Sequence, residues 1–180
     1  MGHNLKQTIS LLTRTPAALD ALLRGLPEDW VLRDEGEKTW SATEVVEHLI
    51  HGEGTDWIPR VRMILEFGEN ETFLPFDRGG HKRGPRTKSL EQLLEEFARV
   101  RSENLKELHA LKLGPEDFGR RGRHPVLGVV TLAQLLSTWA THDLTHLHQI
   151  SRILAYQYRE AVGPWSLYLG VLLCTGHSSG

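Results

Sequence analysis

Two histidines one helical turn apart are the clearest chemical signal in the sequence. His142 and His146 lie within residues 131–158, a stretch without Gly or Pro that reads as one long helix. Side chains four residues apart share one side of a helix, so the two imidazoles can bind one metal ion if a third ligand comes from elsewhere. His48, far upstream in the sequence, is the candidate third ligand. This pattern indicates a mononuclear three-histidine metal site.

Helical phase separates these histidines from their neighbours. At about 100° per residue, His146 lies roughly 50° and His142 roughly 90° from the centre of the apolar face of their helix, on the same flank. His148 lies roughly 150° from that centre, so we expect it to be solvated. On an earlier helix, His48 flanks the apolar face and His51 lies nearly opposite. Spacing alone leaves open that the three selected residues are semi-buried histidines held by hydrogen bonds. The remaining histidines lack a partner spacing typical of ligands: His3, His81, His109, His124 and His177.

Asp143 is the second informative residue, because its helical phase places it almost in the middle of the apolar face. A buried carboxylate without a donor is costly. One interpretation is that Asp143 accepts a hydrogen bond from the free N–H of a ligating histidine. The alternative is a hydrogen bond or salt bridge to another helix. A general-base role, as for the Glu of H-E-x-x-H metalloproteases, fits less well because Asp is one methylene shorter and the third ligand is arranged differently.

Composition narrows the function classes. The 180 residues are 39% hydrophobic and 24% charged, with a formal net charge of −2, as in an ordinary globular domain. Acidic and basic residues are interspersed, so no overall field favours nucleic acid or a membrane surface. No apolar run is long enough to span a bilayer. The first residues lack a secretory signal pattern and Cys174 is the single cysteine, so we expect a cytoplasmic location.

The helices that must position the histidines can be read from apolar periodicity. We expect four long helices, at about residues 5–26, 41–67, 89–113 and 131–158. Pro16 predicts a kink or break in the first helix, and Pro59 predicts a bend or a restart in the second. Ser41 or Thr43 is the expected cap of the second helix, and Thr131 that of the fourth.

These elements predict an all-α protein. Only residues 126–130 hint at the alternation of a strand. Residues 165–174 read as a short, very apolar closing helix. We therefore expect a four-helix bundle with a short extra C-terminal helix, forming one domain over residues 1–180.

Two connections leave alternatives open. Residues 68–88, which include Phe73, Phe76, His81 and Pro85, form the longest stretch without periodicity. They are either a cover over the site or a surface excursion. Residues 120–124 form a basic cluster that we expect to be solvated, the alternative being an anion-binding rim near the site.

Two longer motifs resemble the DinB/YfiT-like superfamily. Residues 40–49, WSATEVVEHL, resemble its first motif, and residues 124–150, HPVLGVVTLAQLLSTWATHDLTHLHQI, resemble its second. Residues 157–165, QYREAVGPW, look like one branch of the family. The resemblance spans essentially the whole chain, and its second motif is fairly specific. It implies an up-down-down-up four-helix bundle with a divalent metal held by His48, His142 and His146. Homodimers are frequent in the family, so we expect a homodimer.

The resemblance also implies a reaction. Members with known activity mostly join bacillithiol, mycothiol or glutathione to an electrophile, so we expect a metal-dependent thiol S-transferase acting on small molecules. The expected ion is Zn²⁺ or Ni²⁺, although imidazole suits several divalent ions. The alternatives are a hydrolase that uses metal-bound water and a non-catalytic metal-binding or stress-response bundle. Trp57, Arg60 and Trp139 are candidate pocket residues, with core packing as the alternative for the tryptophans.

Overall fold

Long helices form most of the chain. The structure, a computed structural model, describes residues 4–82 and 87–174. Its α-helices are α1 (Leu5–Leu23), α2 (Glu28–Leu32), α3 (Ala42–Thr55), α4 (Trp57–Glu66), α5 (Leu90–Ala110), α6 (Leu132–Tyr156) and α7 (Gly170–Leu173). The strands β1 (Arg121–His124) and β2 (Gly128–Thr131) pair antiparallel as a hairpin between α5 and α6. Short 3-10 turns cover Gly80–Lys82, Asp117–Gly119 and Gly163–Tyr168.

Two core clusters reveal the direction of each helix. The first cluster combines the end of α1, the start of α3, the start of α5 and the end of α6, through Leu19, Leu23, Val45, Val46, Leu93, Phe97, Ile150 and Ile153. The second combines an earlier part of α1 with α4, the end of α5 and the start of α6, through Leu12, Val61, Ile64, Leu108, Leu132 and Leu136. Helices α1 and α6 therefore run one way, and α3–α4 and α5 run the other way. This order confirms the predicted up-down-down-up bundle.

The parallel arrangement of α3–α4 and α5 dictates the longest connection. Helix α4 lies in the second core cluster and α5 begins in the first, so the two helix ends that this connection joins lie at opposite ends of the bundle. The other helix connections join ends that lie in the same cluster, so they can be more local. The described part of this connection crosses the side of the bundle where α3 and α6 meet.

Capping boxes define where three bundle helices begin. The hydroxyls of Ser41, Ser89 and Thr131 each accept the backbone N–H three residues on, and the side chain of that residue bonds back to the cap. Thr131 is the predicted cap of α6. Of the two candidates for α3, Ser41 is the cap, whereas the Thr43 hydroxyl donates to the carbonyl of Val31.

The two helical prolines are accommodated differently. Pro59 lies in the first turn of α4, which starts afresh after α3 ends at Thr55, in agreement with the predicted restart. Pro16 lies inside α1, which continues through it to Leu23. Because proline has no N–H, the carbonyl of Leu12 loses its helical donor. Arg101 replaces that donor, with its Nη1 2.9 Å from the Leu12 oxygen.

Two expectations need correction. Residues 165–174 do not form one helix, because a 3-10 turn that ends at Tyr168 precedes a four-residue α7 and Leu169 separates them. Their apolar side chains, such as Trp165 and Tyr168, are exposed, since the segment lies outside the bundle core. Helix α1 ends at Leu23 rather than at about residue 26, and the short helix α2 follows Pro27 with Glu28 and Asp29 in its first turn. Among the described helices, none combines the length and hydropathy required to cross a membrane.

Candidate metal centre

The three predicted histidines meet between α3 and α6. His48 comes from α3, and His142 and His146 come from successive turns of α6. The Nε2 atom of His142 lies 3.4 Å from that of His48 and 3.1 Å from that of His146. His48 and His146 are buried and His142 is half-buried. Within the described residues, this is the one group of three or more His, Cys, Asp or Glu side chains close enough to share an ion.

The surroundings keep the imidazoles of His48 and His142 neutral. Burial, together with the neighbouring histidines, lowers the pKa of His48 from 6.5 to about 2. Burial, His146 and the charge of Arg101 lower the pKa of His142 to about 3. A metal ion needs the unprotonated nitrogen, so these histidines are in the form that a cation binds.

The donor atoms fit a tetrahedral divalent ion. Bonds of about 2.0–2.1 Å place the nitrogens of such a site about 3.3 Å apart, close to the two observed separations. The Nδ1 atom of His146 lies 2.7 Å from Oε1 of Gln149, which accepts its proton, so the ring carries its lone pair on Nε2. The convergence of three such nitrogens is the arrangement expected of metal ligands.

Aromatic side chains enclose the histidines. The ring of Trp40 lies 4.7 Å from that of His48, and the ring of Trp57 lies 5.1 Å from that of His142. Trp57 in turn stacks on Trp139. Apolar packing on these sides fixes the ring orientations and limits the access of water.

The long connection covers the same region. Phe76 lies 5.6 Å and His81 5.5 Å from the ring of His48, and His51 bonds through Nε2 to the carbonyl of Asp77. Phe73 is buried beneath the hairpin. Over its described residues the 68–88 segment is therefore a cover over the site. Pro85 lies outside the described residues.

A cavity of about 450 Å³ opens from the histidines. Its apolar lining includes Trp40, Trp57, Phe73, Pro75, Phe76, Val126, Leu127, Val130 and Leu135. Its polar lining includes Asp56, Arg60, Arg78, His124, Gln134 and Thr138 beside the three histidines. The candidate ligands thus face a ligand-sized pocket with largely apolar walls.

A match to a family model shows which superfamily contains this chain. The model of the DinB superfamily matches residues 11–150. The chain belongs to the DinB superfamily. This confirms the resemblance seen in the two sequence motifs.

Solved structures of other bundles show the same fold as this DinB-superfamily chain. YfiT from Bacillus subtilis, described as a probable metal-dependent hydrolase with an unusual four-helix bundle topology, is 19% identical, with a TM-score of 0.73 over 85% of this chain and 87% of that chain. TT2238, described as a four-helix bundle protein, is 22% identical, with a TM-score of 0.55 over 82% of this chain and 98% of that chain. No curated protein matches the chain.

Within the part of the chain that the structure describes, Asp143 bonds to Arg101 and Thr15 and to no histidine, which favours the helix-to-helix alternative. Its Oδ2 atom lies 2.5 Å from Arg101 Nη1 and from the Thr15 hydroxyl, and its Oδ1 lies 2.9 Å from Arg101 Nη2. Arg101 also bonds Glu53, which accepts the indole N–H of Trp139. The partners of the Asp143 carboxylate therefore belong to this buried polar layer, which is the second of the two interpretations. Trp139 likewise lies in the core, whereas Trp57 and Arg60 line the pocket as expected.

The basic cluster at residues 120–124 divides into two parts. Arg121 and Arg123 pair with Glu69, and Arg120 pairs with Asp117, so the arginines have nearby acidic partners at the surface. His124 lines the pocket instead.

The sequence reasoning missed Gln149, and it considered His81 and His124 only as members of the 68–88 segment and of the 120–124 cluster. Gln149 is three residues after His146, so the same helical face that selected the ligands could have revealed it. His81 and His124 lie in segments without periodicity, where neither phase nor spacing carries a signal. His3 and His177 lie outside the described residues.

Proposed function

We propose that the chain is a divalent-metal-dependent enzyme whose ion is held by His48, His142 and His146. The observation that supports this most directly is the convergence of their Nε2 atoms at the wall of the 450 Å³ pocket. A bound divalent cation would lower the pKa of a thiol or a water molecule that coordinates it. Zn²⁺ and Ni²⁺ both suit an all-imidazole site.

The pocket supports catalysis over a structural role for the ion. Structural sites are usually saturated by four protein ligands, whereas catalytic sites keep a position for substrate. Among the described residues, three side chains converge and the remaining space is cavity. An ion held there has room for a small reactant.

Thiol transfer is our first choice of reaction. The walls formed by Trp57, Phe76 and Leu127 suit the apolar part of an electrophile. The segment that carries Phe76 restricts the access of water to His48, which favours a bound thiol over water as the nucleophile. The carboxylates of Glu53 and Asp143 are bonded to Arg101, and that of Asp56 in the pocket wall is paired with Arg60, so all three are poorly placed to serve as a general base for water.

Hydrolysis is the second candidate. It is favoured by the similarity in fold to YfiT, which is described as a probable metal-dependent hydrolase. Both reactions use the same three histidines, so the choice depends on the co-reactant. The homodimer stays a prediction for either reaction.

The test compares thiol and water as nucleophiles. Protein loaded with zinc or nickel is assayed with glutathione, bacillithiol or mycothiol and the electrophile monochlorobimane, and separately with p-nitrophenyl esters. We expect conjugation that is lost in His142→Ala and kept in His148→Ala, whose histidine is exposed on the same helix. Ester hydrolysis with the same pattern would replace transfer by hydrolysis, and equal activity in His142→Ala would contradict both.

A further inference from the structure

Arg60 is a buried cation in the wall of the pocket. Its residue is 8% exposed, and its Nε lies 2.7 Å from the carboxylate of Asp56. Its Nη2 donates to the carbonyl of Leu74 at 3.3 Å, and its guanidinium lies 5.3 Å from the ring centre of Phe73. These contacts fix the planar group in one orientation. Its Nη1 makes no hydrogen bond to the described residues, so two N–H donors are left for a ligand.

His124 supplies a second donor to the same pocket. Its Nδ1 accepts the backbone N–H groups of Val126 and Leu127, both at 3.1 Å, in the turn of the hairpin. In a neutral imidazole whose Nδ1 is an acceptor, the proton is on Nε2. Burial and the charge of Arg60 lower the pKa of His124, in keeping with this neutral form. Both Arg60 and His124 pack against Phe73.

Gln134 adds another N–H donor to the pocket. Its Oε1 accepts the backbone N–H of Thr131 in the cap of α6, so its amide N–H₂ is the end that can serve a ligand. Asp56 is an acceptor in the pocket wall, but its carboxylate is already paired with Arg60. The region around Arg60 therefore offers several N–H donors among apolar walls, and the guanidinium among them is paired on one side with Asp56.

We propose that Arg60 and His124 form an anion subsite that binds the carboxylate of a substrate whose body is apolar. The apolar part lies against two wall residues, Phe76, whose ring is 5.6 Å from that of His48, and Leu127, which adjoins His124 in the hairpin turn. Arginine suits the role because its fork of donors matches the two oxygens of a carboxylate. The inference rests on the proposed function in one respect, that this cavity is the substrate pocket, and it specifies the substrate class.

The test measures binding in the absence of metal, so that it does not depend on activity. Protein treated with a chelator is titrated with phenylacetate and, separately, with uncharged phenylacetamide, by isothermal calorimetry and ligand-observed NMR. We expect phenylacetate to bind at least about tenfold more tightly than the amide, since a hydrogen bond to a charged group is worth about 1.5–3 kcal/mol. Equal affinity for the two probes, or no binding of phenylacetate, would overturn the subsite.

Variants locate the charge that is responsible. Arg60→Gln keeps a donor for Asp56 but removes the charge, and we expect about a tenfold or greater loss of phenylacetate affinity with little change for phenylacetamide. The matched control is Arg62→Gln, two residues further along α4, where the arginine is exposed and paired with Glu107. His124→Asn keeps an acceptor for the turn amides and removes the Nε2 donor. It tests the subsite independently if Arg60→Gln fails to fold, and unchanged phenylacetate affinity in it would overturn the assignment of His124.

Failure of the subsite can be told apart from failure of the metal site. If phenylacetate binds only to zinc-loaded protein and equally well in Arg60→Gln, the carboxylate is bound at the histidines and the subsite is wrong while the metal proposal survives. If phenylacetate binding is independent of metal and is lost in Arg60→Gln, the subsite stands even where no metal is retained.

Discussion

Removing Arg101 should destabilise the bundle far more than removing any surface arginine. Its residue is 1% exposed, and it bonds Asp143, Glu53 and the carbonyl of Leu12. Arg101→Met keeps much of the volume but leaves two buried carboxylates without their cation. It also leaves the Leu12 carbonyl without a donor, because Pro16 cannot supply one.

The magnitude follows from these losses. Breaking a buried ion pair by removing one partner costs about 3–5 kcal/mol, and an unsatisfied buried carbonyl adds about 1–3 kcal/mol. We therefore expect a loss of at least about 4 kcal/mol in the free energy of unfolding. For a chain of this size, a loss of about 4 kcal/mol corresponds to a fall in Tm of about 8–16 °C.

The assay is urea unfolding followed by circular dichroism, with Arg99→Met as the matched control. Arg99 lies on the same helix in an exposed pair with Glu103, and its loss should cost no more than about 0.5 kcal/mol. Adding Asp143→Asn to Arg101→Met should recover part of the loss, because it removes one stranded charge. A cost for Arg101→Met within about 1 kcal/mol of the control would refute the reasoning, since it would place Arg101 among ordinary surface pairs.

Three further predictions concern the histidines of the candidate metal site, the packing around Gly122 and the hydrogen bond between Gln149 and His146. Folding lowers the pKa of His48 to about 2 and of His142 to about 3. Below about pH 6.5, the unfolded chain therefore binds protons on these two histidines that the folded, metal-free chain does not bind. The free energy of unfolding should therefore fall as the pH decreases from 6.5, with a slope that approaches about 2.7 kcal/mol per pH unit for the two groups. Urea midpoints that stay constant down to pH 4 would count against this prediction. Gly122→Ala would place a Cβ 2.7 Å from a core side-chain atom and should cost about 1–3 kcal/mol in chemical unfolding, unlike Gly119→Ala, which has open space; equal costs would contradict the packing. Gln149→Leu removes the acceptor of the His146 N–H and should weaken zinc binding about 10–100-fold in a chelator competition, whereas unchanged affinity would separate Gln149 from the site.

Helical periodicity explains what the sequence could predict. On α3 and α6 the apolar stripes are regular, so phase alone selected His48, His142 and His146 and set aside His51 and His148. The structure brings the selected three together. The helix starts were also predictable, since a capping box is a local pattern of two side chains.

What could not be predicted depends on how distant elements meet. Asp143 was correctly expected to be buried, but its partner Arg101 belongs to another helix, and Arg101 also bonds the Leu12 carbonyl that Pro16 leaves without a donor on a third. The hairpin was nearly missed because β1 consists mostly of charged residues, and its one buried position is Gly122, which lies against Ile64 and Phe73. His124 reaches the pocket only through that hairpin.

The most direct test of the central claim is the metal content of protein purified without a polyhistidine tag. We would measure it by mass spectrometry in the parent, in His142→Ala and in His148→Ala, after reconstitution with zinc or nickel. The account predicts a single divalent ion per chain in the parent and in His148→Ala, and none in His142→Ala. Absence of metal from the parent, or equal retention in all three proteins, would contradict it.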